Sequence, residues 1–226
     1  HSFRLLFKEI WGPTKLRYPL FGGNAVKTFD SLVLRANSND GWQWSAAGAQ
    51  PLYIRDSFGR ETMLEMGGVA SHERFVHLYL NGIYWGLYDF VERPDASFSA
   101  NYYGGDKDDW DAISNNAASN GNTSAWNRLN SVSGRGFATL ESYFGIEGRN
   151  AQGEVDPELL NLLDIDQYIE YMIVNLWVGN TDWPHKNWWI GRDRVQNNGF
   201  KFYMWDSEWS MGIRSTLSTN QTMVSN

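Results

Sequence analysis

Asn180-Thr181-Asp182-Trp183-Pro184-His185-Lys186-Asn187 is a polar loop set between an apolar run that stops at Gly179 and the strand-like Trp188-Trp189-Ile190-Gly191-Arg192. A polar loop between apolar elements needs a reason. Val195-Gln196-Asn197-Asn198 then supplies turn formers, and Phe200-Lys201-Phe202-Tyr203-Met204-Trp205 reads as the returning strand, delivering Asp206 and, two residues on, Glu208. A turn centred between Gln196 and Asn197 sets Asn187 opposite Asp206, with their Cβ atoms roughly 5 Å apart. An amide oxygen and a carboxylate at that separation can grip one hard divalent cation such as Mg2+, leaving its other positions to water or phosphate oxygens. Asp182 stands just beside them, placed to accept a proton.

Each of these residues also has a plain structural reading. Asp182 caps the turn after Gly179-Asn180, Asn187 hydrogen-bonds backbone at a strand start, and Asp206 punctuates the end of its strand. Taken together they say more. The D-x-x-x-x-N spacing is that of a protein-kinase catalytic loop, and a second acid follows one hairpin later, where phosphoryl transfer needs a metal carboxylate.

Working outward, Ile169, Met172, Ile173, Leu176 and Trp177 recur at helical spacing and predict a helix from Asp166 with that stripe against the core, ending at Gly179-Asn180. Asp156-Pro157 predicts a helix start. Residues 99–153 are rich in Asn, Gly, Ser and Asp and read as a loop-rich insert, with one helix around Trp126 to Leu140. Nearer the start, Phe29–Arg35 predicts a strand, and Ile54–Met66 a helix with Ile54, Phe58 and Thr62 on one face. Phe75–Leu80 and Tyr84–Val91 flank Asn81-Gly82, the pair best suited to a tight hairpin turn. Arg55-Asp56 read as capping and structural pairing, and Glu92-Arg93 as either a surface ion pair or a nucleotide contact.

Composition narrows the partners. With 226 residues, 42% hydrophobic and 20% charged, the chain can bury a real core. A net charge of −7 without any basic run disfavours a nucleic-acid partner. There is no Cys, which removes disulfides and thiolate metal sites, and no apolar run approaches the ~20 residues of a membrane span. The aromatic share of 15% suits a sugar platform as well as a core, and Asp182, Asp206 and Glu208 are possible paired carboxylates. A carbohydrate-active protein therefore stays open beside the phosphoryl-transfer reading.

The sequence resembles the CotH-type kinases, atypical protein kinases named after a spore-coat protein. The likeness runs through Leu20-Phe21, Phe29–Asn37, Arg55-Asp56, Leu78–Tyr88 with Val91-Glu92, Asn180-Thr181-Asp182-Trp183 with Asn187, and Trp205-Asp206. It implies an α+β, kinase-like two-lobed fold, with residues 1–92 as the N-lobe-like part and 93–226 as the C-lobe-like part. ATP and Mg2+ would be the cofactors, Asp182 the catalytic carboxylate, and Asn187 and Asp206 the metal residues. Glu92 would sit at the hinge beside the adenine. The implied activity is transfer of phosphate to Ser or Thr hydroxyls of a coat or surface protein, and the resemblance implies an extracellular, envelope or spore-coat setting, which the residues themselves do not specify. The alternative within the same fold is a non-catalytic scaffold. There is no Walker A and no G-x-G-x-x-G loop. The ATP-contacting Lys is expected upstream of His1, with Arg4 or Arg35 as stand-ins, and the segment reads as truncated at both ends.

Overall fold

The computed structural model describes residues 1–42 and 50–213. Within them five α-helices and three antiparallel sheets make an α+β fold, and the chain divides into two compact units. The first gathers His1–Arg93, Ile173–Asn187 and Met204–Asn226; the second gathers Pro94–Met172 and Trp188–Tyr203.

The first unit is built on a sheet of β1 (Phe3–Leu6), β4 (Ser31–Arg35), β5 (Glu73–Leu80) and β6 (Ile83–Glu92), in the order β1-β4-β6-β5. Beside it runs a small ribbon of β2 (Leu16–Arg17) and β3 (Thr28–Phe29). Asn81 and Gly82, at φ of 50° and 80°, close the β5–β6 hairpin in the left-handed conformation its tight turn demands. Every residue of β4 is buried, as expected of a strand covered on both faces. Register assigns the faces. Leu32, Leu34, Phe90 and Glu92 share one side, where Phe21 packs on Phe29 and Phe90. Val33, Arg35, Asp89 and Val91 share the other, joined by Glu73 of β5.

That second side receives α1 (Arg55–Glu65). The helix is one residue shorter at each end than the expected Ile54–Met66, and its buried residues are Arg55, Asp56, Gly59, Arg60 and Met63, while Ile54 is half exposed. The face inferred from Ile54, Phe58 and Thr62 is corrected. Periodicity assumes that oil is buried, whereas this helix seats charge on charge.

The second unit holds β7 (Trp110–Ser114), β8 (Ala117–Asn120), β9 (Trp189–Asp193) and β10 (Lys201–Tyr203), in the order β10-β9-β7-β8. α2 (Ala96–Tyr103) starts behind Asp95, whose carboxylate accepts from Ser97 and Phe98 N–H. α3 (Ser124–Ser133) and α4 (Leu140–Ile146) replace the single helix expected around 126–140, broken at Gly134 and Gly136. The 99–153 stretch is thus mostly regular structure, and its Trp110, Ala112 and Ile113 are fully buried. Asp156-Pro157 starts no helix: Asp156 accepts from Glu158 N–H in a local turn. The next helix, α5 (Ile165–Trp177), begins behind Asp164, which accepts from Gln167 N–H. Its buried positions are Gln167, Tyr171, Val174 and Asn175, and of the predicted core stripe Ile169, Ile173 and Trp177 are half exposed or more while Met172 and Leu176 are half-buried.

The β9–β10 ladder pairs Lys201 with Gly191, Phe202 with Ile190 and Tyr203 with Trp189, one residue away from the expected register, and stops there. Asn187 and Asp206 are therefore not ladder partners. A slip of one residue is enough to turn every side chain to the opposite face.

Candidate functional site

Arg35 ends β4 opposite Asp89. Its Nη2 donates to Asp206 Oδ1 and to Glu208 Oε1, both at 2.7 Å, while Nη1 lies 3.4 Å from Asp56 Oδ2. The guanidinium also sits 4.7 Å over the Trp205 ring. α1 supplies the second cation: Arg60, with no solvent exposure, meets Asp56 and Glu73 and donates to Asp89 Oδ2 at 2.7 Å. Asp56 Oδ1 accepts from Ser207 N–H (2.9 Å) and Oγ (3.2 Å), pinning α1 to the segment after β10. An ideal Cβ on Gly59 would lie 2.7 Å from Ser207 Oγ and 2.9 Å from Met204 Cε, so a side chain there would force Ser207 and Met204 to shift.

In this network two guanidiniums face five carboxylates, Asp56, Glu73, Asp89, Asp206 and Glu208. The surplus of negative charge shows in the titration. Burial pushes Glu208 up to about 7, against the pull of Arg35 and with further push from Asp206 and Asp56. Burial also raises Asp89, only partly offset by Arg60. Burial would raise Asp56 as well, but Arg60 and Arg35 outweigh it and hold its carboxyl below the usual range. Burial would lower Arg35, yet the carboxylates of Asp56, Asp206 and Glu208 raise it.

The Asp182 loop is stitched by Asn187, whose Nδ2 donates to Asp182 O (3.1 Å) and to Asp182 Oδ2 (3.0 Å). Lys186 Nζ lies 3.1 Å from the same Oδ2, leaving Oδ1, with His185 Nε2 at 3.7 Å, as the less engaged oxygen. The loop reaches the Asp206 segment by backbone rather than through the hairpin ladder: Thr181 N–H and Oγ1 both donate to Trp209 O at 3.0 Å, and Met211 N–H donates to Val178 O at 2.8 Å. Asn187 and Asp206 both adopt left-handed φ, 63° and 59°, a conformation that costs a non-glycine residue about 1 kcal/mol or more and persists only where neighbours enforce it.

The other residues singled out from sequence separate. Arg4 is exposed on β1, opposite Val33 and hence on the same sheet face as Arg35. Glu92 projects from the opposite face, buried, where it accepts from His72 N–H at 2.9 Å and meets His72 Nδ1 at 3.1 Å. It is no surface ion pair, and the structure does not bring it to the Arg35 cluster. Asp89 and Arg60 escaped notice in the sequence. A charge inside the apolar Leu87-Tyr88-Asp89-Phe90-Val91 was the available signal.

A cavity of about 290 Å³ opens on this cluster, walled by Arg35, Asn37, Ser38, Trp205, Asp206 and Glu208 among others. A family description, CotH kinase protein, matches residues 1–225. The chain belongs to the CotH kinase family. Membership implies a kinase-like fold and, in general terms, a kinase-like enzyme with a protein substrate. No curated protein matches this CotH kinase family chain. No helix of the described residues is long and apolar enough to cross a membrane.

The fit of a cation can be judged from the donor set. Among the described residues no three His, Asp or Glu side chains converge into a metal cage. Mg2+ does not require one, since it binds through one or two carboxylates plus substrate phosphates. Asp206 uses Oδ1 on Arg35 and makes no hydrogen bond through Oδ2 among the described residues, at a cavity wall carrying surplus negative charge. These residues fit a hard cation in a CotH kinase family site; Glu208, with both oxygens committed, does not serve as a ligand.

Proposed function

We propose that the chain transfers the γ-phosphoryl group of ATP, with Mg2+, to Ser or Thr hydroxyls of a protein outside the cell or on a coat. The observation that carries this reading is the docking of the Asp182–Asn187 loop, through Thr181 and Trp209, onto the segment bearing Asp206. In it Asp182 Oδ1 receives the proton of the attacking hydroxyl while Asn187 and Lys186 hold the carboxylate in place. Asp206 and Asn187 are the residues that would hold Mg2+, which when bound neutralises charge on the transferred group.

The order of elements supports the same assignment. A strand ending in Arg35 is followed by α1, whose second residue Asp56 pairs with it, then by two strands ending near residue 93. In protein kinases a strand lysine and a helix glutamate occupy those places. Arg35 is accordingly the phosphate-facing cation, with Arg4 on the same face beside it, and Glu92 carries no role at the phosphates.

The test is transfer from γ-labelled ATP, with Mg2+, to serine-rich acceptor peptides by the full-length protein. Asp182→Ala is expected to lose roughly 10²- to 10⁴-fold in rate, with folding and ATP binding retained. Unchanged transfer would remove Asp182 from the chemistry.

A further inference from the structure

Asp206 is held in its left-handed conformation by its neighbours in sequence. Ser207 anchors on Asp56 through N–H and Oγ, and Glu208 is 4% exposed with both oxygens used. Glu208 Oε1 accepts from the same Arg35 nitrogen that donates to Asp206 Oδ1, and Oε2 accepts from Asn39 N–H at 2.8 Å. One side chain thus ties three walls of the cavity together: the end of β4, the turn after it and the segment carrying Asp206.

We infer that Glu208 is a positioning residue: by sharing Arg35 with Asp206 and clamping the turn at Asn39, it fixes which Asp206 oxygen is bound to the guanidinium and which remains for a divalent cation. The inference rests on the kinase reading, since it concerns the oxygen assigned to Mg2+. In Glu208→Gln a single amide oxygen replaces two acceptors, so the NH2 group faces either Asn39 N–H or Arg35 Nη2 and the clamp that fixes the guanidinium is broken. The guanidinium can then swing to chelate both Asp206 oxygens, the fork geometry arginine favours with a carboxylate. The cation site would be lost to an internal ion pair while Asp206 itself is untouched.

The experiment is binding of a non-hydrolysable ATP analogue by calorimetry over a Mg2+ series, on wild type and Glu208→Gln, with thermal melts to confirm folding. Supporting residues around a metal typically alter its affinity by 10- to 100-fold. The half-saturating Mg2+ concentration is therefore expected to rise about tenfold or more in Glu208→Gln, with analogue affinity restored at high Mg2+. Should Glu208→Gln fail to fold, Glu208→Asp, which keeps the buried charge but shortens its reach by one methylene, carries the test, with an increase in the same direction expected. A Mg2+ dependence matching wild type within about twofold, or a smaller bound fraction at unchanged half-saturation, overturns the positioning role and leaves the kinase reading standing. Failure of wild type to bind the analogue at any Mg2+ concentration overturns the kinase reading itself, and this inference with it.

Discussion

Glu208 has a second consequence, for stability. Its carboxyl titrates near 7 in the folded chain against an ordinary 4.5, so between those values the folded state holds a proton that the unfolded chain has released. Stability contributed this way is fully present below about 4.5 and is lost as pH rises through 7. The shift corresponds to about 3 kcal/mol at roughly 1.4 kcal/mol per pKa unit. Asp56 acts in the opposite sense but at lower pH, because its carboxyl is held below its ordinary 3.8; its contribution fades only on strong acidification. Urea unfolding at pH 5 and pH 7.5 should show wild type losing stability over that interval and Glu208→Gln losing about 2 kcal/mol less, the part of the shift that falls inside the interval. Parallel slopes for the two proteins would show that the group does not titrate in this window. The sequence offered Glu208 as a possible acid of a sugar site; its partners, Arg35 and Asn39, lie more than 160 positions away, a distance over which no local pattern speaks.

At the level of elements, α1 separates what a sequence reveals from what it conceals. Its ends were legible because Gly67-Gly68 stops it and Ile54–Met66 carries helix formers. Its inward face was not, since Asp56 and Arg60 are buried by partners on β4, β5 and β6 that only the tertiary fold supplies. α5 misleads in the same way: Gln167 and Asn175 are more buried than Ile169 and Ile173. The Asn81-Gly82 hairpin was fully legible because its geometry is local, whereas the β9–β10 register differs by one residue from the expected one because the seven-residue connection 194–200 can close in more than one frame. Gly59 tests the seating of α1. On an open helix surface Gly→Ala gains up to about 1 kcal/mol. Here the new methyl meets Ser207 and Met204, and Gly59→Ala is expected to destabilise by about 1–3 kcal/mol, a loss of roughly 2–10 °C in Tm. A rise in Tm would mean that the helix does not press on this segment.

For the molecule as a whole, ligand-linked stability distinguishes the kinase reading from the carbohydrate reading that the aromatic content left open. A ligand at a hundred times its Kd adds about 2.7 kcal/mol. ATP with Mg2+ should therefore raise Tm by roughly 5–10 °C, while ATP with excess chelator and a panel of oligosaccharides should leave it nearly unchanged. Stabilisation by oligosaccharide instead would transfer Asp182 and Asp206 to a different chemistry. The ionic seat of α1 also sets how the protein responds to climate. Water competes for buried ions most strongly when cold and less as it warms, whereas an oily seam weakens on cooling for a different reason and gains little in heat. A helix fastened by Arg60 and Arg35 keeps its hold on a hot day and is most easily worked loose in the refrigerator.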